Sequence, residues 1–192
     1  MIDTKDTSIT DESFRQFSES SNQNFLEKQT TATQDLSTYN PEKQKSSDSN
    51  NLSVFDVVAY ILSQTEQIST MKLQKLLYYC QAWALVWDEQ PLFGEKIEAW
   101  ANGPVVRKVF YQYQGKFMIE NTTCGNGAIL SKEQRETVDS ILKHYGKFSA
   151  QQLIEMTHSE KPWIEARKGL ADHERGAREI PLESLHEYYS SL

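Results

Sequence analysis

Apolar residues recur at three- and four-residue spacing from Val54 onward, and before that point they do not. Val54, Val57, Val58, Ile61 and Leu62 predict a first helix ending near Gln64, with Ser53 as its N-cap and Asp56 three residues on. A second helix is predicted over residues 71–88, capped by Ser69 or Thr70. Leu73, Leu76, Leu77, Cys80, Ala84 and Trp87 share one face, and Tyr79, Trp83 and Val86 cover much of another. A helix apolar over most of its circumference belongs at the centre of a domain; Lys72, Gln74, Lys75 and Gln81 are its polar exceptions. Residues 90–103 read as a loop with a short extended piece, because Ile97, Ala99 and Ala101 alternate with Glu98 and Trp100. Gly103-Pro104 is expected to open a third helix, with Pro104 at its first position, where a missing N–H costs nothing, and Val105, Val106, Val109, Phe110 and Tyr113 as its stripe.

Residues 116–130 lack a period and contain the turn sequence Cys124-Gly125-Asn126-Gly127. Ser131 with Gln134, and Ser149 with Gln152, form capping boxes for a fourth and a fifth helix, bearing Val138, Ile141, Leu142 and Tyr145, then Leu153, Ile154 and Met156. Ser159 is expected to cap a sixth, with Pro162 in its first turn and Trp163 and Ile164 buried; a charged loop over 170–179 precedes a last helix opened by Pro181 and carrying Leu182, Leu185, Tyr188 and Tyr189. The fold class is therefore all-α or nearly so: a compact single domain of about seven helices, with at most one short hairpin.

Composition divides the chain at residue 52. All eight Gly, all four Trp, both Cys and every Val lie beyond it. The first 52 residues hold few apolar groups and cannot bury enough area to offset about 1–2 kcal/mol of ordering cost per residue, so a disordered polar tail is expected over 1–52 and a helical domain over 53–192. Phe14, Phe17 and Phe25 would let part of that tail form an amphipathic helix on binding. The net charge of −7 divides as −4 in the tail and −3 in the domain, which argues against general affinity for nucleic acid, since phosphate neutralisation needs clustered Lys and Arg. Two isolated cysteines, no apolar leader and no run of 18 apolar residues point to a cytoplasmic protein with no membrane span.

Little in the chain suggests catalysis. None of His144, His158, His173 and His186 falls in a metal-ligand spacing, no nucleophile–base pair stands out, and Cys80 sits mid-helix on an apolar face. No enzyme activity, cofactor or metal is expected. His158, in Thr157-His158-Ser159, most simply satisfies a helix corner; the sharper reading is a contact to a partner. Trp100 has the same two readings, as a core residue or as an interface anchor.

The run Ser69-Thr70-Met71-Lys72-Leu73-Gln74-Lys75-Leu76-Leu77-Tyr78-Tyr79-Cys80-Gln81-Ala82-Trp83 resembles the signature helix of the Panacea domain family, the SocA-like antitoxin domain formerly described as a phage-associated protein of unknown function. The likeness continues through Pro91-Leu92-Phe93, Ile97-Glu98-Ala99-Trp100 and Gly103-Pro104-Val105-Val106, and returns at Thr157-His158 and Pro162-Trp163. It covers most of residues 53–165, not the tail. The resemblance implies an antitoxin of a bacterial or prophage toxin–antitoxin system that neutralises a cognate toxin by direct protein–protein binding. One branch of the family implies an alternative, an adaptor that delivers its toxin to a Clp-type protease. A DNA-binding autorepressor is a second alternative. Lys72, Lys75, Trp100 and His158 are the candidate partner-binding residues, expected near one another. The motif residues Leu73, Gln74, Leu76, Leu77, Tyr78, Gly103, Pro104, Val105, Pro162 and Trp163 are expected to be structural.

Overall fold

The computed structural model describes residues 52–192. The expected tail lies outside them except for Leu52, which is buried. Ser53 caps the first helix, α1 (Val54–Gln64), and Asp56 returns the bond by accepting from the Ser53 N–H at 2.9 Å. A two-residue strand, β1 (Ile68–Ser69), then leads into α2 (Thr70–Trp87), whose N-cap Ser69 accepts from the Lys72 N–H. Every residue from Leu73 to Leu85 is buried, so α2 is the axis of the domain, as its all-round apolar pattern predicts.

After α2 the chain forms a hairpin. Strand β2 (Ile97–Trp100) pairs antiparallel with β3 (Gly103–Val106), in the register Ile97–Val106, Glu98–Val105, Ala99–Pro104 and Trp100–Gly103. This corrects the expected third helix: Pro104, Val105 and Val106 are strand, and α3 is only Arg107–Gln112. The register explains why a proline is admitted. Opposing pairs in an antiparallel ladder alternate between bonding each other and facing outward. The Ala99–Pro104 pair faces outward: the Ala99 N–H donates to Arg178 O at 2.8 Å, not to Pro104. A residue without an N–H therefore costs the ladder nothing there. The strand β4 (Met118–Ile119) pairs with β1, an element the sequence pattern did not reveal.

The segment 120–130 ends in a 3₁₀ turn, Gly127–Ile129, which packs on α1. A side chain at Gly125 (φ +81°) would collide with the Phe55 carbonyl, and Asn126 N–H donates to Asp56 Oδ1 at 2.6 Å. The glycines thus permit a close backbone approach. Then come α4 (Lys132–Tyr145) and α5 (Ala150–Ser159), each opened by its expected capping box. The short α6 (Lys161–Ala166) begins after Glu160, not Ser159, and has no side-chain cap; Ile164 is 48% exposed, not buried. Residues 178–180 run antiparallel beside β2, and α7 (Leu182–Ser190) closes the core against α2. Among the described residues there are seven helices and two two-stranded ladders, and no helix is long and apolar enough to cross a membrane.

Candidate functional site

The polar positions of α2 are clamps. Gln81 Oε1 accepts from the Leu92 and Phe93 N–H groups at 3.0 and 3.1 Å, and its Nε2 donates to Phe93 O at 3.1 Å. Gln74 Oε1 accepts from Val106 N–H at 2.7 Å, and Lys75 Nζ donates to Pro104 O at 3.0 Å. Buried backbone groups need partners. These three side chains supply them for the connection after α2 and for the outward-facing edge of β3. Burial pushes the Lys75 amine down to about 7. Lys72 reaches the other way, to Gly146 O at 2.6 Å at the end of α4, and partial burial lowers its pKa also.

The hairpin turn gathers several of the candidates. Gly103 has φ +92°, and a Cβ there would lie 2.6 Å from Lys75 Nζ and 2.9 Å from Thr157 Oγ1, so α2 and α5 both press on the turn. His158 stacks on Trp163, ring centres 4.0 Å apart, and Trp163 Nε1 donates to Trp100 O at 3.0 Å. Arg167 holds the same strand through Nη1 to Ala99 O at 3.1 Å. His158 Nε2 is buried and has no hydrogen-bond partner among the described residues. Burial, then the Lys75 and Arg167 charges, lower its pKa, against a backbone bond at Ala101. The structure thus brings Lys75, Trp100 and His158 to one turn and sends Lys72 elsewhere. Lys75 is fully enclosed.

A carboxylate that sequence reading passed over lies beneath this turn. Glu160, buried at the start of α6, accepts from Tyr78 and Tyr189 on Oε2 at 2.7 and 2.8 Å, and from Tyr79 on Oε1 at 3.0 Å. Burial raises its pKa to about 7 against those three bonds. The only trace in the sequence is three tyrosines on otherwise apolar helix faces, whose buried hydroxyls need a common acceptor.

On the outer side of the turn lies a groove of about 510 Å³. The first turn of α2 forms one wall with Met71, the hairpin another with Trp100, and α3 a third with Val109 and Phe110. Trp100 meets Phe110 edge-on at 4.8 Å. The Arg175 guanidinium lies over the Trp100 ring at 4.2 Å. Tyr111, which lines the groove, is 55% exposed, and Phe117, next in the chain after the lining residue Lys116, is 80% exposed. Among the described residues no group of three or more His, Cys, Asp or Glu could hold a metal ion.

Residues 73–164 match the family model described as antitoxin SocA-like, Panacea domain. The chain carries a Panacea domain. Antitoxin SocA of Caulobacter vibrioides (strain NA1000 / CB15N) is 33% identical to it over 109 residues, covering 50% of this chain and 58% of the relative. The chain thus spans less than two thirds of that relative's length. No solved structure matches. Within this Panacea domain the motif residues Leu73, Leu76, Leu77 and Tyr78 are wholly enclosed, Gln74 and Pro104 belong to the clamp, and Gly103 is the turn under it. Pro162 is buried, and Trp163 ties α6 to the hairpin.

Proposed function

We propose that this protein is a cytoplasmic antitoxin that neutralises a cognate toxin by binding it directly, with no chemistry of its own. The match of residues 73–164 to the SocA-like Panacea model carries the reading, and the name of the Caulobacter relative agrees with it. The placement of the reactive side chains supports a binding role. Cys80 is sealed in α2, where burial pushes its thiol far up, away from the thiolate a nucleophile needs. The autorepressor alternative has less to stand on. A helix-turn-helix joins its helices by a turn of about 3–4 residues, whereas the β2–β3 hairpin intervenes between α2 and α3, and α2 is enclosed on all sides.

Co-expression with the product of the neighbouring gene, in strains with and without Clp protease, tests the proposal. Direct masking predicts restored growth and a stable complex in both strains. Rescue confined to the protease-containing strain, with toxin accumulating in the other, would replace masking with delivery. A neighbour that is not toxic, and forms no complex, would remove the antitoxin reading.

A further inference from the structure

The groove beside the hairpin turn differs in charge from the protein around it. The chain carries a net charge of −7, yet no Asp or Glu lines the groove, while Lys116 and Arg175 do. Several cations elsewhere on the surface are matched: Lys96 with Glu179, Arg107 with Glu98, Lys108 with Glu95, Lys132 with Glu136 and Lys161 with Glu165. Among the described residues, no carboxylate pairs with Lys116 or Arg175. Both lie over aromatic rings instead, Arg175 at 4.2 Å from Trp100 and Lys116 at 6.0 Å from Tyr113. A guanidinium that lies over a ring with no carboxylate partner still has N–H groups to offer, and its edge is the part that grips a carboxylate with two parallel bonds.

The apolar content points to a polypeptide. Trp100, Phe110 and Val109 give the groove an apolar wall, and the exposed rings of Tyr111 and Phe117 carry the apolar surface outward. Large exposed rings beside a concave, cation-bearing patch are the composition of a protein interface, in which aromatic anchors and Arg are enriched. A volume of about 510 Å³ lies in the range of sites that enclose a few side chains.

Resting on the antitoxin reading above, we propose that this groove is where the toxin docks, through a short segment that presents an Asp or Glu carboxylate to Arg175 and Lys116 and an adjacent large apolar side chain to Trp100 and Phe110. Charge complementarity selects the occupant: on a chain of net charge −7, a groove lined by Lys116 and Arg175 and by no carboxylate offers an acidic segment a favourable place.

The test measures binding of the full chain to the co-expressed toxin, with Arg175→Glu and Phe117→Asp as groove variants and Lys132→Glu on α4 as the control. Phe117 is the second variant because its side chain is almost wholly solvated, so its replacement leaves the fold intact; unfolding midpoints verify this for all three. Each groove variant is expected to weaken the complex by roughly tenfold or more and to abolish growth rescue, as loss of an interface anchor does, while Lys132→Glu behaves as wild type. Added salt is expected to weaken the wild-type complex and to affect that of Arg175→Glu much less. A toxin variant with the contacting acid changed to Lys is expected to regain affinity for Arg175→Glu. Wild-type rescue with groove variants that bind equally well overturns the groove and leaves the antitoxin reading standing. Equal loss in Lys132→Glu also overturns it, since any charge change would then suffice. A chain that dimerises alone, and becomes monomeric on Arg175→Glu, would make a second copy the occupant and overturn it too. No binding and no rescue by the wild type removes the antitoxin reading and the groove with it.

Discussion

Three tyrosine hydroxyls converge on the Glu160 carboxylate in a space that water does not reach. The bonds favour the charged form and burial opposes it, and burial prevails, raising the pKa from 4.5 to about 7. A carboxyl with a folded pKa above its unfolded one holds its proton more tightly in the native state. The stability this confers is complete below about pH 4.5 and is lost as pH rises to about 7. Lys75, lowered to about 7 from 10.5, changes stability in the opposite sense and over the window above pH 7, so the range from 4.5 to 7 isolates Glu160 from it. Glu160→Gln keeps the shape and cannot ionise. Its stability relative to wild type is expected to grow with pH across that range by up to about 3 kcal/mol, from the shift at 1.36 kcal/mol per unit. Urea unfolding of both proteins at pH 5 and pH 7.5 measures this; parallel pH profiles would contradict it.

At the scale of elements, α2 was legible in both existence and centrality because its apolar positions cover its circumference. The capping boxes of α1, α4 and α5 announced themselves in the same way. The purpose of the polar residues on α2 was not legible, since their partners are backbone groups 11 to 74 residues away. Pro104 misled for a related reason: a proline opening a helix and a proline on an outward-facing strand position look alike until the register is known. The β1–β4 ladder, two residues long, is below the length at which alternation registers as a pattern. Trp100 and His158 were singled out from residue type alone, and the structure brings them to one turn through Trp163. The groove was not legible, because Arg175 reaches it from a loop with no period, 75 residues after Trp100 in the chain. Gln81→Leu tests the clamp. It removes the partners of Leu92 N–H, Phe93 N–H and Phe93 O inside the core, at about 1–3 kcal/mol for a buried polar group left unmade. Chemical denaturation is expected to show a loss of roughly 3 kcal/mol or more in total, and a loss below about 0.5 kcal/mol, the usual span of a surface change, would mean the bonds are dispensable.

For the molecule as a whole, the family match and the folding unit have different ends. The match stops at residue 164, but the segments beyond it complete the core. Residues 178–180 take up the outward edge of β2, with Ala99 N–H donating to Arg178 O and Ile180 N–H to Ile97 O, both at 2.8 Å. Helix α7 brings Tyr189 edge-on against Trp83 at 5.3 Å and against Tyr78 at 6.2 Å, and its hydroxyl is one of the three on Glu160. Leu185 and Tyr189 are buried with it. Ending the chain after residue 177 keeps the entire family segment, yet it removes a donor from a buried carboxylate, opens the face of α2 and leaves β2 with an unpaired edge. Loss of a hydrogen-bond donor to a buried group and loss of two core side chains are each among the larger single effects on stability, and a domain of this size has only about 5–15 kcal/mol in total. The truncated protein is therefore expected to keep part of its helical far-ultraviolet signal while losing the near-ultraviolet signal of its packed tyrosines and tryptophans and any cooperative thermal transition. A truncated protein that melted cooperatively near the temperature of the full chain would show that residues 73–164 and the elements before residue 178 form a self-sufficient core, and that α7 only covers it.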